Sequence, residues 1–167
     1  AKQGYFDQAE SAYQRAIDLD PNAVEAYQGL GHAYAMQNKL EASVQVYEKA
    51  IQLQPYHAAT YYDMAQIAVK RGERDKARAF MSEYQQLKGY EAEVRQLHGE
   101  SRQHPENPEP HLALAQLHLK HRNLDAAISA YEVVTYLAPQ FAVAYKNLGL
   151  LYTEQKQYEK ALAAFQN

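Results

Sequence analysis

Five of the seven histidines fall between positions 98 and 121: His98, His104, His111, His118 and His121. Imidazoles three, four or seven apart share one face of a helix, the spacing by which a helix offers two ligands to zinc. His118 and His121 are three apart and His111 lies two turns earlier, so a metal pair is the first chemistry to weigh. No carboxylate or third ligand is fixed to them by spacing, and the H-E-x-x-H pattern is absent. Cysteine is missing altogether, which removes thiolate ligands, thiol nucleophiles and disulfides. The expectation is packing: His111 and His118 as inward-facing rings with hydrogen-bonded edges, no metal and no cofactor. A half-buried imidazole pair titrates near neutral pH and would loosen its helix in acid.

Other chemistries fare worse. Glu91, Glu93 and Glu100 lie in one charged stretch and read as a solvated helix face rather than a general acid–base pair. Neither a glycine-rich phosphate loop nor a G-x-S-x-G elbow occurs. Fifteen tyrosines would suit base stacking, but 17 Lys+Arg against 20 Asp+Glu leave a net charge of -3, which opposes a polyanion. No run approaches twenty apolar residues, so direct membrane insertion is not expected. The reading is of a non-enzyme that binds no nucleic acid.

The elements that must position these side chains are helices. Alanine and glutamine are abundant, while Val, Ile and Thr, from which any sheet would be built, are scarce. Prolines stand at 21, 55, 105, 108, 110 and 139 and interrupt an otherwise helical pattern. Pro21 and Pro55 are 34 residues apart, and so are Pro105 and Pro139; the interval from Pro55 to Pro105 is one such period with sixteen residues to spare. A fixed period of this length marks a stacked repeat.

Positions can be numbered so that these prolines stand at 32. Whole repeats then cover 24–57, 58–91 (with a degenerate end) and 108–141, flanked by partial repeats 1–23, a second helix only, and 142–167. Tyr27, Leu30, Gly31 and Tyr34 form one helical stripe; after a turn at Gln37-Asn38-Lys39, the residues Leu40, Val44, Tyr47, Ala50 and Ile51 form a second. Tyr145, Leu148, Gly149 and Tyr152, then Tyr158, Ala161, Leu162 and Phe165, repeat this. Small residues recur at position 8 (Gly31, Ala65, Ala115, Gly149) and position 20 (Ala9, Ser43, Ala77, Ala127, Ala161), where two helices must approach closely. Nine tyrosines, at 13, 27, 34, 47, 61, 131, 145, 152 and 158, fall at these core positions and read as packing. His111 and His118 replace such aromatics at positions 4 and 11.

Tyr27-x2-Leu30-Gly31-x2-Tyr34…Ser43-x3-Tyr47…Pro55 and Tyr145-x2-Leu148-Gly149-x2-Tyr152…Ala161-x3-Phe165 resemble the tetratricopeptide repeat, whose reference pattern is W-x2-L-G-x2-Y…A-x3-F…P. The likeness covers all but the sixteen-residue insertion. It departs from the pattern in the third repeat, which has Ala68, Met81, Tyr84 and Gly89 at positions 11, 24, 27 and 32. The resemblance implies an all-α fold, a right-handed superhelical solenoid of antiparallel helix pairs, with one extra or extended helix between the third and fourth repeats.

That helix is residues 92–107. Tyr90, Val94, Leu97 and Ser101 make a helical stripe, which fits either a separate helix after a stop at Gly89 or one long helix from Arg74 to His104, kinked at Gly89. Pro105, Pro108 and Pro110 end the segment and open the next helix.

Stacked pairs bury their apolar stripes against their neighbours and leave one face of each first helix uncovered. In the family, positions 2, 5, 6, 9, 12 and 13 of that helix line a concave groove that holds an extended peptide or a partner helix. By resemblance the groove reads Gln28, His32, Met36; Tyr62, Asp63, Gln66, Val69; Leu112, Gln116, Leu119; Lys146, Asn147, Leu150, Thr153. Tyr62, Val69, Leu112, Leu119 and Leu150 are apolar where exposure is expected, as at an interaction surface. The family's carboxylate clamp is not matched: only Lys146 and Asn147 have its chemistry, and Asp63 would repel a chain terminus. The expected function is therefore a protein–protein interaction module, a scaffold or adaptor that takes an internal peptide segment or partner helix. Two alternatives stand beside it: a structural array that self-associates head to tail through Phe6, Ala9 and Tyr13 at one end and Tyr158, Leu162 and Phe165 at the other, and a regulatory segment of a larger enzyme.

Overall fold

Three-residue turns recur wherever the first helix of a pair hands over to the second. The computed structural model describes residues 2–167, with side chains from residue 5 onward, and the expected start of the first partial repeat, Ala1, lies outside the described residues. Among the described residues the elements are α1 (Lys2–Leu19), α2 (Val24–Met36), α3 (Leu40–Leu53), α4 (Ala58–Lys70), α5 (Arg74–Gln103), α6 (Glu109–Lys120), α7 (Leu124–Leu137), α8 (Ala142–Glu154) and α9 (Tyr158–Phe165), with no strand. The pairs α2/α3, α4/α5, α6/α7 and α8/α9 are each joined by three residues, so the partners run antiparallel.

Each turn is built the same way. Its middle residue has positive φ: Asn38 at 60°, Gly72 at 74°, Arg122 at 58° and Lys156 at 61°. The next amide then reaches back to close the helix: Lys39 N to Tyr34 O at 2.9 Å, Glu73 N to Ala68 O at 2.9 Å, Asn123 N to His118 O at 2.9 Å and Gln157 N to Tyr152 O at 2.8 Å. This is the Schellman ending, which satisfies carbonyls that a helix terminus leaves unpaired. Only Gly72 meets the left-handed requirement without a Cβ penalty.

The small residues act where the spacing places them. The Ser43 hydroxyl, position 20, donates to Gly31 O, position 8, at 2.6 Å and ties α2 to α3. A Cβ on Gly31 would stand 2.9 Å from the Tyr47 ring, and one on Gly149 would stand 2.4 Å from the Phe165 ring. The ring at position 24 thus lies flat on the backbone of its own first helix. Tyr27 and Tyr61 each donate a hydroxyl to the carbonyl of the preceding proline, Pro21 and Pro55, both at 3.1 Å. These contacts convert the 34-residue period into packing.

The chain divides into two compact lobes, one ending at Gly89 and the other running Tyr90–Asn167. In the first, Tyr47, Met64 and Ile67 form a core to which Val44, Ile51 and Phe80 are added. In the second, α6, α7, α8 and α9 share one core, centred on Leu114, Ala127, Tyr131, Val134, Ala144 and Leu148, with Val94 and Leu97 of α5 packed on it.

One open alternative is resolved and two expectations are revised. Of the two readings at Gly89 the long helix is the one found: α5 runs through it as one 30-residue element, because a helical glycine costs only about 1 kcal/mol and Leu87 and Tyr90 on either side are buried. Tyr158 is 64% exposed rather than core, since among the described residues no helix packs over the outer side of α9. Tyr13 is 37% exposed: one side of its ring lies on Gly29, and among the described residues α1 packs only against α2.

Lys156 carries the left-handed strain while exposed and outside any ion pair shown for the turn. Lys156→Gly should therefore stabilise the chain by about 1 kcal/mol, less the greater freedom glycine has when unfolded. Urea unfolding followed by circular dichroism checks this; a lower midpoint for the variant would contradict the strain.

Candidate functional site

The first helices of the repeats present the side chains that sequence spacing singles out, and the structure divides them into two groups. Some are held by internal bonds. On α2, the Gln28 amide lies 2.8 Å from His57 Nδ1 and donates to Thr60 Oγ1 at 3.1 Å, tying α2 to the start of α4. On α4, the Asp63 carboxylate accepts the Tyr47 hydroxyl at 3.0 Å. On α8, Asn147 Nδ2 donates to the Tyr131 hydroxyl at 3.0 Å. Thr153 donates to Gly149 O at 2.7 Å within α8.

Asp63 and Asn147 occupy one register. In both cases position 24 of one repeat meets position 6 of the next, sixteen residues on. Tyr13 and Gly29 are the same pair without a side chain at position 6: a Cβ there would lie 2.3 Å from the Tyr13 ring, so the ring fills the space. Burial, then the nearby Asp63 charge, pushes the Tyr47 phenol far above its ordinary range and keeps it a donor. Burial likewise raises Tyr131. Tyr152 is pushed up to about 12 by burial first and by its hydrogen bond to Glu132 second.

The second group is open to solvent. His32 and Met36 on α2 are exposed, Met36 by 56%. Tyr62 and Val69 on α4 are 42% and 63% exposed, with Gln66 between them. In the other lobe Gln116, Leu119, Lys146 and Leu150 are exposed on α6 and α8. Leu112 departs from expectation: it is half-buried and packs on the core of its lobe rather than standing open to solvent. Spacing alone also missed Tyr84. Its ring lies 5.3 Å from Tyr62, tilted by 53°, with Lys88 Nζ 5.6 Å from its centroid. The signal was a second tyrosine, at the degenerate end of the third repeat, where the pattern offers no register to follow.

His118 is buried and its Nδ1 lies 2.7 Å from the Tyr90 hydroxyl, while His111 is half-buried. Burial lowers the pKa of both, and the charge of His98 adds to it. Among the described residues no three His, Asp or Glu groups converge as metal ligands, and no helix is long and apolar enough to cross a membrane.

The repeat geometry agrees with comparison against known proteins. The tetratricopeptide repeat profile matches residues 1–58, 95–142 and 112–167, and a second profile of the same description matches 37–100. The chain belongs to the tetratricopeptide repeat family. Stress-induced-phosphoprotein 1 of Caenorhabditis elegans is 26% identical over 161 residues, which is 96% of this chain and 45% of that protein. Superkiller protein 3 of Saccharomyces cerevisiae is 48% identical over 50 residues, 30% of this chain and 4% of that one. The chain thus spans less than half the length of these curated relatives. Among solved structures, MamA aligns with a TM-score of 0.48 at 23% identity, covering 99% of this chain and 87% of that one. YrrB, described as a tetratricopeptide protein with an unusual peptide-binding site, aligns with a TM-score of 0.46 at 20% identity, covering 93% and 90%.

The Tyr47–Asp63 bond generates a direct test. Tyr47→Phe and Asp63→Ala should each cost about 1–3 kcal/mol, and the double variant should cost less than their sum by about 1 kcal/mol or more. Urea unfolding of the four proteins measures it; costs that simply add would mean the bond carries no coupling.

Proposed function

We propose that this tetratricopeptide array is a protein-interaction module that holds a peptide segment or partner helix on the open faces of its first helices. The observation that carries the reading is the uncovered apolar side chain in each lobe at a position the core does not need: Met36, Tyr62 and Val69 in one, Leu119 and Leu150 in the other. Polar neighbours stand beside them, Gln66 on α4 and Gln116 and Lys146 on α6 and α8, and these suit amide contacts to an extended backbone. Gln28, Asp63 and Asn147 enter differently from what their spacing suggests: held by internal bonds, they set the angle of the helices that carry the contact residues. Asp63 supports an internal segment over a terminal carboxylate, since a negative charge at this position of α4, held by Tyr47, would repel one. The co-chaperone name of a Cryptococcus neoformans relative, 28% identical over 86 residues, is in keeping with a protein partner.

The test is selection of binders from a displayed random-peptide library, followed by affinity measurement on variants. Tyr62→Ala with Gln66→Ala and Val69→Ala, all on α4, should weaken a peptide selected on the first lobe by about tenfold or more with unchanged helicity. Undiminished binding by that triple variant would put the site elsewhere. Leu112 is left out of the set because its loss would damage packing.

A further inference from the structure

The histidine-rich lobe contains a contact that the repeat pattern does not explain. Tyr90, on α5, is 6% exposed and its hydroxyl lies 2.7 Å from Nδ1 of His118, itself 7% exposed on α6. Asn123, in the turn after α6, donates its side-chain amide to the same hydroxyl at 3.0 Å. The Tyr90 ring lies edge-on to His118 at 5.8 Å and tilted over His121 at 4.4 Å. In sister repeats position 11 carries Tyr34, Ala68 or Tyr152, none of which ionises near neutral pH. Of these position-11 residues only His118 ionises near neutral pH.

We propose that the Tyr90–His118–Asn123 contact is an acid-sensitive latch, closed with neutral His118, that holds residues 90–103 of α5 against α6 and is released when His118 takes up a proton. With Asn123 donating to the phenol oxygen, a neutral imidazole can accept the phenol proton at Nδ1, which an imidazolium cannot. Protonation turns Nδ1 into a donor, reverses the bond and places a charge in the interior.

The surroundings do not compensate that charge. The charged neighbours acting on His118 are His98 from α5 and His121 from the turn, both of the same sign when protonated, and His111 stands two turns back on α6. From α7, the exposed Asp125 and Glu132 accept Gln155 and Tyr152, and on α8 Glu154 pairs with Arg122 at 2.8 Å. On α5, Glu100 accepts Gln96 at 2.9 Å, and Glu91 is half-buried beside Tyr90. Burial first, and His98 and His121 after it, hold the His118 pKa below its ordinary value. The unfolded lobe therefore binds more protons than the folded one as pH falls below about 6.5, so stability is full above that range. It declines through it and levels off once the lowered folded value is passed.

The experiment is hydrogen exchange on the whole chain between about pH 7.5 and about pH 5.5, corrected for intrinsic rates, in the wild type and in His118→Asn. Asparagine keeps an acceptor for Tyr90 and does not titrate. Protection of α6 amides in the wild type should fall by up to about tenfold per pH unit, and His118→Asn should lose the larger part of that fall. Constant wild-type protection, or the whole fall retained in His118→Asn, would overturn the latch. Should His118→Asn fail to fold, the NMR titration of the His118 ring in the wild type decides: a midpoint below about 6.5 is expected, and one at or above it overturns the proposal.

Discussion

The structure depends on an aromatic ring at position 24 that serves two helices. Tyr47 and Phe165 lie on the backbone of their own first helix, where glycine leaves room, and Tyr47 also reaches position 6 of the next repeat through its hydroxyl. Tyr131 makes the second contact with Asn147, and Tyr13 does so by filling the space above Gly29. A large flat side chain supplies buried area, while its polar tip must find a partner when desolvated. Within each lobe those two needs fix how α4 sits on α3 and how α8 sits on α7.

This constraint decides which side chains are left for binding. Position 6 is held by the ring behind it, and Gln28 is held by His57 and Thr60, so neither is at liberty to turn toward a partner. What remains on the open faces of the described helices is a mixture of exposed apolar side chains and exposed amides. In the proposed function this surface would meet the side chains of an extended segment, with the framework residues supplying pre-organisation rather than contact. Tyr84 widens the Tyr62 surface into an aromatic pair, and Lys88 adds a positive charge beside it.

The helices and their pairing were legible because proline, small residues and aromatics act locally and recur. Helix turns were legible in place but not in kind: nothing in Arg122 or Lys156 announces a left-handed residue, and there the Schellman hydrogen bonds override side-chain preference. At Gly89 two outcomes were left open by spacing, and burial of Leu87 and Tyr90 on either side keeps the helix whole. Leu112 was misplaced because it packs on a core that also takes Val94 and Leu97, from the segment that has no place in the period. For the same reason His118 could be read as buried while Tyr90, the group that receives it, could not. Bonds between side chains 16 or 28 residues apart become visible only once the register of the helices is known.

The most direct measurement is residue-resolved hydrogen exchange on Tyr131→Ala, which removes the ring shared by α7 and α8 while leaving both helices otherwise intact. If the ring couples consecutive repeats, amides of α7 and α8 should lose protection together and by a similar factor. Protection lost in α7 alone, with α8 exchanging as in the wild type, would contradict the account.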